Sequence, residues 1–205
     1  MLSAQSLTCI RGDRLLFRDV SFTLEAGGVL YVLGENGSGK SSLLRILCGL
    51  MTPETGTISW SGEQVKSNTE GYRSKLLYVG HLNGLKDDLT AAENLQTSAR
   101  LSSYKSDAEN VSVALGAIGI GRCANLPVRV LSQGQKRRVA LARLWLTESP
   151  LWILDEPFAA LDSASIGVLQ GRINQHVAKG GMAIITTHQD VAINAQSTQH
   201  LRLDA

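Results

Sequence analysis

The sequence predicts an α/β fold with a mostly parallel sheet core and an inserted helical lobe, and three observations carry that prediction. Continuous apolar runs at 29–33, 151–154 and 182–185, the last opening a strand at 182–187, have the character of strands buried on both faces. Helix-period segments lie between them, and alternating β and α implies a parallel sheet. From about residue 85 to 146 the β-branched runs fade and helical patterns take over. The 205 residues amount to about one domain of ~150 residues with an insertion. We therefore expect a single domain over 1–205, with a core lobe at 1–84 and 147–205 and a helical lobe at about 85–146.

Composition sets the outer bounds. With 43% hydrophobic and 19% charged residues, the chain has apolar material for a core. Its 20 basic and 18 acidic residues leave a net charge of +2, too little to argue for an electrostatically driven nucleic-acid binder. Residues 1–10 lack the basic start and apolar stretch of a secretory signal, so the chain is expected in the cytoplasm. The longest apolar runs fall far short of the roughly 20 residues that span a bilayer, which leaves membrane contact to a partner. Cys9, Cys48 and Cys123 are odd in number and lack CxxC spacing, so they read as reduced thiols.

Taken in order, 15–24 carries Leu15, Phe17, Val20, Phe22 and Leu24 at a period near two with one irregularity, a half-buried strand. Ala26-Gly27-Gly28 turns the chain into the strand at 29–33. A helix follows with Leu43, Leu44 and Leu47 as its apolar positions, then short strands at 57–60 and 76–79. Helices are expected at 90–101 and 107–118, and after Ser132, where Val139, Ala142 and Leu146 share a face. The strand at 151–154 leads to a helix with Ile166, Leu169, Ile173 and Val177 on one side, and then to the strand at 182–187.

Directly after the 29–33 strand comes Gly34-Glu35-Asn36-Gly37-Ser38-Gly39-Lys40-Ser41-Ser42, which fits GxxxxGK[ST] between a strand and a helix. Glycines let the backbone close around phosphate, and the loop amides and helix N-terminus converge on an anion. Lys40 is placed to reach the β- and γ-phosphates, and the Ser41 hydroxyl to ligate Mg²⁺. Chance produces this pattern in on the order of one chain in a hundred, before the flanking strand and helix are counted.

The 151–154 strand delivers Asp155 and Glu156 to the carboxyl edge of the sheet, where open α/β sheets bind ligands. Asp155 suits Mg²⁺, and Glu156 suits the orientation and deprotonation of an attacking water. Alone, an apolar run ending in two acids is more often a strand entering a solvated turn; the phosphate loop reverses those odds. His188, after the 182–187 strand, is positioned to donate to the γ-phosphate or to place water, and its place at the end of a buried strand sets it above His81, His176 and His200.

Leu131-Ser132-Gln133-Gly134-Gln135 opens a helix, and Ser132 with Gln135 fits a capping box, a sufficient structural reason for both residues. The functional alternative is a second anion site at this helix start, offering the Ser132 hydroxyl and the Gly134 amide. The phosphate loop and this motif together resemble the ATP-binding cassette family over essentially the whole chain. That resemblance implies the nucleotide-binding fold of the family, with an added antiparallel β portion, and ATP with Mg²⁺ at the phosphate loop. It further implies two copies stacked head to tail, so that Ser132, Gly134, Gln135 and Asp162 serve the site of the opposite copy.

Three positions depart from the family pattern. Gln133 stands where glycine is usual. Arg11 stands where an aromatic often stacks on adenine, although a guanidinium also lies flat on a π-face. His81 stands where a glutamine senses Mg²⁺ and the membrane partner. The runs Gly80-His81-Leu82-Asn83-Gly84-Leu85-Lys86 and Leu89-Thr90-Ala91-Ala92-Glu93-Asn94-Leu95 resemble the ATPase subunits of bacterial cytochrome c maturation systems, described as haem exporters. So do Arg137-Arg138-Val139-Ala140, Trp152-Ile153-Leu154-Asp155-Glu156-Pro157-Phe158 and Thr186-Thr187-His188-Gln189.

The narrower resemblance implies a peripheral subunit on the cytoplasmic face of the inner membrane, docked on an integral membrane subunit. Its ATP hydrolysis would serve haem export or release of a haem-loaded chaperone. Two alternatives stand beside it: an ATPase for another small exporter, because the motifs do not encode cargo, and a nucleotide clamp with little turnover, motivated by Arg11, Gln133 and His81. A nucleic-acid cassette is disfavoured because those usually need tandem cassettes or long coiled-coil insertions, and a metabolite kinase would lack the Ser132 motif.

Overall fold

The computed structural model describes residues 1–102 and 107–203. The expected helical lobe and the whole-chain domain include 103–106 and 204–205, which lie outside the described residues. In chain order the strands are β1 (Leu2–Arg11), β2 (Arg14–Leu24), β3 (Gly28–Leu33), β4 (Thr55–Trp60), β5 (Glu63–Gln64), β6 (Leu76–Val79), β7 (Leu151–Asp155), β8 (Met182–Thr186) and β9 (Ser197–Arg202). The helices are α1 (Lys40–Leu47), α2 (Thr69–Arg73), α3 (Ala91–Leu101), α4 (Ala108–Ala117), α5 (Gln133–Leu141) and α6 (Ser163–Ala178). Among the described residues the strands form an antiparallel sheet, β2-β1-β4-β5, and a second sheet, β6-β7-β8-β3-β9. In the second, β3 runs parallel to both β8 and β9, and β7 runs parallel to β8.

The antiparallel sheet is built around bulges. Between β1 and β2 the register slips after Ala4 and again after Leu7, and Ser6 and Asp19 take up the extra residues with φ of 47° and 54°. A third slip sets Cys9 opposite Phe17 but Ile10 opposite Leu15, leaving Leu16 as an added residue. Leu16 and Phe17 are therefore both buried and Leu15 is 42% exposed, so Leu15 does not join the inward face that simple alternation assigns to it.

The chain divides into two compact units, one of Met1–Tyr78, Ser149–Glu156 and Asn174–Ala205, the other of Val79–Glu148 and Pro157–Ile173. This division differs from a lobe at 85–146. The loop after β6 is hydrogen-bonded to Arg137 of α5, and Arg172 of α6 donates to the Leu144 carbonyl at 2.8 and 3.1 Å, which draws both into the second unit. In the first unit Leu7, Leu30, Leu43, Leu47, Ile153 and Ile184 form part of a continuous apolar core. In the second, α3, α4 and α5 bury Leu95, Val111, Leu115 and Val139. Each of these helices begins on a side-chain cap: Thr90 for α3, Asp107 for α4 and Ser132 for α5.

Candidate active site

In the first unit the carboxyl ends of β3, β8 and β7 lie side by side, with Thr186 opposite both Val32 and Asp155. That edge gathers most of the expected catalytic residues. From β3 the chain enters a loop in which Gly34, Gly37 and Gly39 have φ of 146°, 86° and 101°. A Cβ on Gly34 would stand 2.6 Å from Ser38 Oγ and 2.7 Å from the Leu203 carbonyl oxygen, so this closure demands glycine. Gly39 starts α1 with no side-chain cap, which leaves first-turn amides directed into the loop.

The Lys40 ammonium, only 8% exposed at the residue level, donates to the carbonyls of Gly34 at 2.6 Å and Glu35 at 3.0 Å. Ser38 Oγ is buried and has no hydrogen-bond partner among the described residues. A buried cation resting on carbonyls and an unsatisfied hydroxyl inside a ring of uncapped amides fit a phosphate chain. Asn36 lies on the exposed rim and Ser42 is buried in α1.

Behind the loop, Ser41 Oγ donates to Asp155 Oδ2 at 2.8 Å and Thr186 Oγ1 donates to Asp155 Oδ1 at 2.7 Å. Asp155 is 2% exposed. The Ser41 and Asp155 oxygens are hard donors, and among the described residues no group of three His, Cys, Asp or Glu forms a metal cage. Such a pair suits a cation that keeps most of its ligands as water and phosphate oxygen.

Glu156 leaves the strand with φ of 51°, a left-handed turn rare for a residue with a side chain. Its amide is held by the Thr186 carbonyl at 3.1 Å and Oγ1 at 2.9 Å, and its Oε1 lies 3.2 Å from His188 Nε2. The structure thus joins Glu156 and His188 directly. The sequence assigns Thr186 no role of its own, its signal there being a hydroxyl residue that follows an apolar run; the structure sets it in register with Asp155.

Arg11 ends β1, exposed, and faces Arg14 across the Gly12-Asp13 turn. The remaining candidates belong to the second unit. Ser132 Oγ accepts from the Gln135 amide at 3.2 Å while Gln135 Oε1 accepts from the Ser132 amide at 2.8 Å, the reciprocal capping box. Accepting that bond leaves the hydroxyl proton to donate elsewhere. A Cβ on Gly134 would stand 2.8 Å from the Ala160 carbonyl oxygen, so glycine is required there by packing alone. Asp162 Oδ1 accepts from the Ser165 amide at 2.8 Å and caps α6; that bond holds its carboxyl below the ordinary value. His81 lies exposed in the loop after β6. A further residue to which the sequence assigns no role of its own is Arg137, buried on α5 and bonded to that loop.

Residues 17–159 match the family described as ABC transporter. The cytochrome c biogenesis ATP-binding export protein CcmA of Nitrosomonas europaea is 49% identical over 203 residues, covering 99% of this chain and 95% of its own length. The protein of the same name from Vibrio cholerae is 42% identical over 203 residues, covering 99% of this chain and 98% of its own length. Among solved structures, an ATP-binding subunit of an ABC transporter superposes with a TM-score of 0.81 at 31% identity, covering 92% of this chain and 79% of that one. A dimeric ATP-binding cassette in a post-hydrolysis state bound to ADP and Pi superposes with a TM-score of 0.86 at 23% identity, covering 100% and 97% of the two chains, a likeness of fold.

The chain belongs to the ABC transporter family, as one of its ATP-hydrolysing subunits. Within that class it is of the CcmA type. Among its described residues no helix is long and apolar enough to cross a membrane.

Proposed function

We infer that this chain hydrolyses ATP on the cytoplasmic face of the inner membrane, driving a c-type cytochrome biogenesis complex through an integral membrane subunit. The work done is haem export or the release of a haem-loaded chaperone. The observation that carries the reading is the continuous array Ser41–Asp155–Thr186–Glu156–His188 behind a phosphate loop, in a chain about half identical to CcmA proteins along nearly its full length.

In the proposed chemistry the loop amides and Lys40 bind the β- and γ-phosphates, the Ser38 hydroxyl gains its missing partner, and Ser41 with Asp155 holds Mg²⁺. When bound there, the metal would supply positive charge against the negative charge that develops on the phosphate oxygens. Glu156 orients a water and takes its proton at Oε as the oxygen attacks the γ-phosphorus and the bond to ADP breaks. His188 donates its Nε2–H to the Glu156 carboxylate or, once nucleotide is bound, to the γ-phosphate. The second half of each site comes from another copy of the chain, through Ser132, Gly134, Gln135 and Asp162.

The test is Mg-ATP hydrolysis by the purified chain, parent against Glu156→Gln, with and without the membrane subunit. Loss of a general base costs on the order of 10²–10⁴-fold, with ATP binding retained. Hydrolysis at the parent rate would remove Glu156 from the role of base, and normal cytochrome c maturation by a complex carrying Glu156→Gln would remove ATP turnover from the pathway. Binding without turnover in the parent under every condition would instead mark a clamp.

A further inference from the structure

The loop at 80–89 and the segment at 126–137 are joined at every level. At the backbone, the Val128 amide donates to the Leu89 carbonyl at 2.9 Å and the Arg129 amide to the Asp87 carbonyl at 3.0 Å. At the surface, Lys136 Nζ reaches Asp87 Oδ1 at 3.1 Å and Arg129 Nη1 reaches Asp88 Oδ1 at 2.9 Å. At the centre, Arg137 Nη1 donates to the Gly80 carbonyl at 2.8 Å and to Asn83 Oδ1 at 3.2 Å. The far end of the loop is closed by the buried Asn94 amide, which bonds the Lys86, Leu89 and Thr90 carbonyls at 2.9, 3.2 and 3.0 Å.

Arg137 is the costly member of this set. It is 5% exposed, and holding a guanidinium out of water is expensive by comparison with an apolar residue of similar volume unless its hydrogen bonds are made. The exposed ion pairs around it contribute little on their own. What the guanidinium achieves is geometric: its Nη1 alone ties two points of the loop to the first turns of α5, five residues from Ser132. The loop so fixed carries exposed His81 and Leu82, the latter 82% exposed.

We propose that Arg137 is a positioning residue that makes the Ser132 helix start and the Gly80–Asn83 loop move as one body, so that nucleotide engaged at Ser132 orders the face carrying His81 and Leu82. The inference rests on the reading of Ser132 and Gly134 as ligands of the opposite copy's nucleotide. Of the alternative variants at this position, Arg137→Lys keeps the charge and a terminal nitrogen but loses the planar guanidinium that fixes the directions of its N–H groups, whereas Arg137→Met keeps volume and loses both.

Amide hydrogen exchange on the full chain, carrying Glu156→Gln to prevent turnover and measured with and without Mg-ATP, tests it. With Arg137 in place, ATP slows exchange at 34–42, at 132–136 and at 80–89. With Arg137→Met the first two responses persist, and the response at 80–89 shrinks on the order of tenfold, the weight of one charged hydrogen bond. Arg137→Lys recovers part of it. If Arg137→Met fails to fold, Asn83→Ala removes one acceptor from the accessible side and reduces the same response by a smaller factor. The proposal is overturned if ATP leaves 80–89 unchanged in the chain with Arg137, or if the Met and Ala variants respond as that chain does. Absence of any response at 34–42 would strike the ATP reading itself, and absence confined to 132–136 its two-copy part; this inference falls with either.

Discussion

Gly34 and Thr186 show how single side chains, or their absence, set up the chemistry. At Gly34 a methyl would meet the Leu203 carbonyl oxygen at 2.7 Å, and that carbonyl belongs to backbone already pinned by the Leu203 amide donating to Leu33 at 2.8 Å. Ser38 can rotate away but Leu203 cannot, and φ of 146° adds strain for any L side chain. Gly34→Ala is therefore expected to weaken ATP binding by at least about tenfold, ~1.4 kcal/mol, measured by titration calorimetry; parent-like affinity would show that the loop tolerates a Cβ. Thr186 acts through one hydroxyl that donates to Asp155 and accepts from the Glu156 amide. Thr186→Val withdraws it inside a buried array, at a cost of about 1–3 kcal/mol in denaturant unfolding and a lower kcat, while Thr186→Ser restores most of both. Equal stability of the Val and Ser variants would mean the hydroxyl is not holding the array.

The elements show what a pattern along the chain reveals and what it hides. Buried strands such as β3, β7 and β8 are legible because burial on both faces leaves an apolar run with little ambiguity, and the motifs at their ends are legible for the same reason. β1 is hidden because its inward residues, Leu2, Ala4, Leu7 and Cys9, skip a step at the Ser6 bulge. β9 is hidden because it is half exposed and reads Ser-Thr-Gln-His-Leu-Arg, although its pairing with β3 carries the chain to the Leu203 carbonyl behind Gly34. Of the site, the phosphate loop and Asp155-Glu156 were readable as spacing, whereas Thr186 and Arg137 act through contacts 31 and 57 residues away in sequence.

The helix starts carry a pH prediction at the same scale. Glu93, Asp107 and Asp162 each accept backbone amides, from Thr90, Asn110 and Ser165, and these bonds hold all three carboxyls below their ordinary values. The folded chain thus favours their charged forms, so the stability they add is present at neutral pH and is lost as pH falls through about 4 and below. Thermal melts followed by circular dichroism should show Tm dropping across that window, with a shallower drop for Glu93→Gln, whose amide oxygen keeps a capping acceptor without titrating. An identical slope in that variant would clear Glu93 of a part in acid unfolding.

At the scale of the whole molecule, each chain carries one phosphate loop and one Ser132 motif, and they fall in different compact units. If each nucleotide is held by the loop of one copy and the motif of another, two copies related by a two-fold axis complete two sites and leave neither motif unused. Such an interface closes through ligand, so its stability follows nucleotide occupancy by mass action. The net charge of only +2 sets little like-charge repulsion against it. Size-exclusion chromatography with light scattering should therefore find Glu156→Gln at twice the monomer mass in Mg-ATP and at the monomer mass in Mg-ADP, because in that arrangement only the uncleaved γ-phosphate would reach Ser132. Adding Lys40→Ala should return it to the monomer by weakening the phosphate grip. Adding Ser132→Arg should do the same while ATP binding persists, since in that arrangement the residue would serve the other copy's site. A Glu156→Gln chain that binds ATP and stays at the monomer mass up to the highest practical protein concentration would sink the two-copy site, and would leave Ser132 and Asp162 with helix capping as their role.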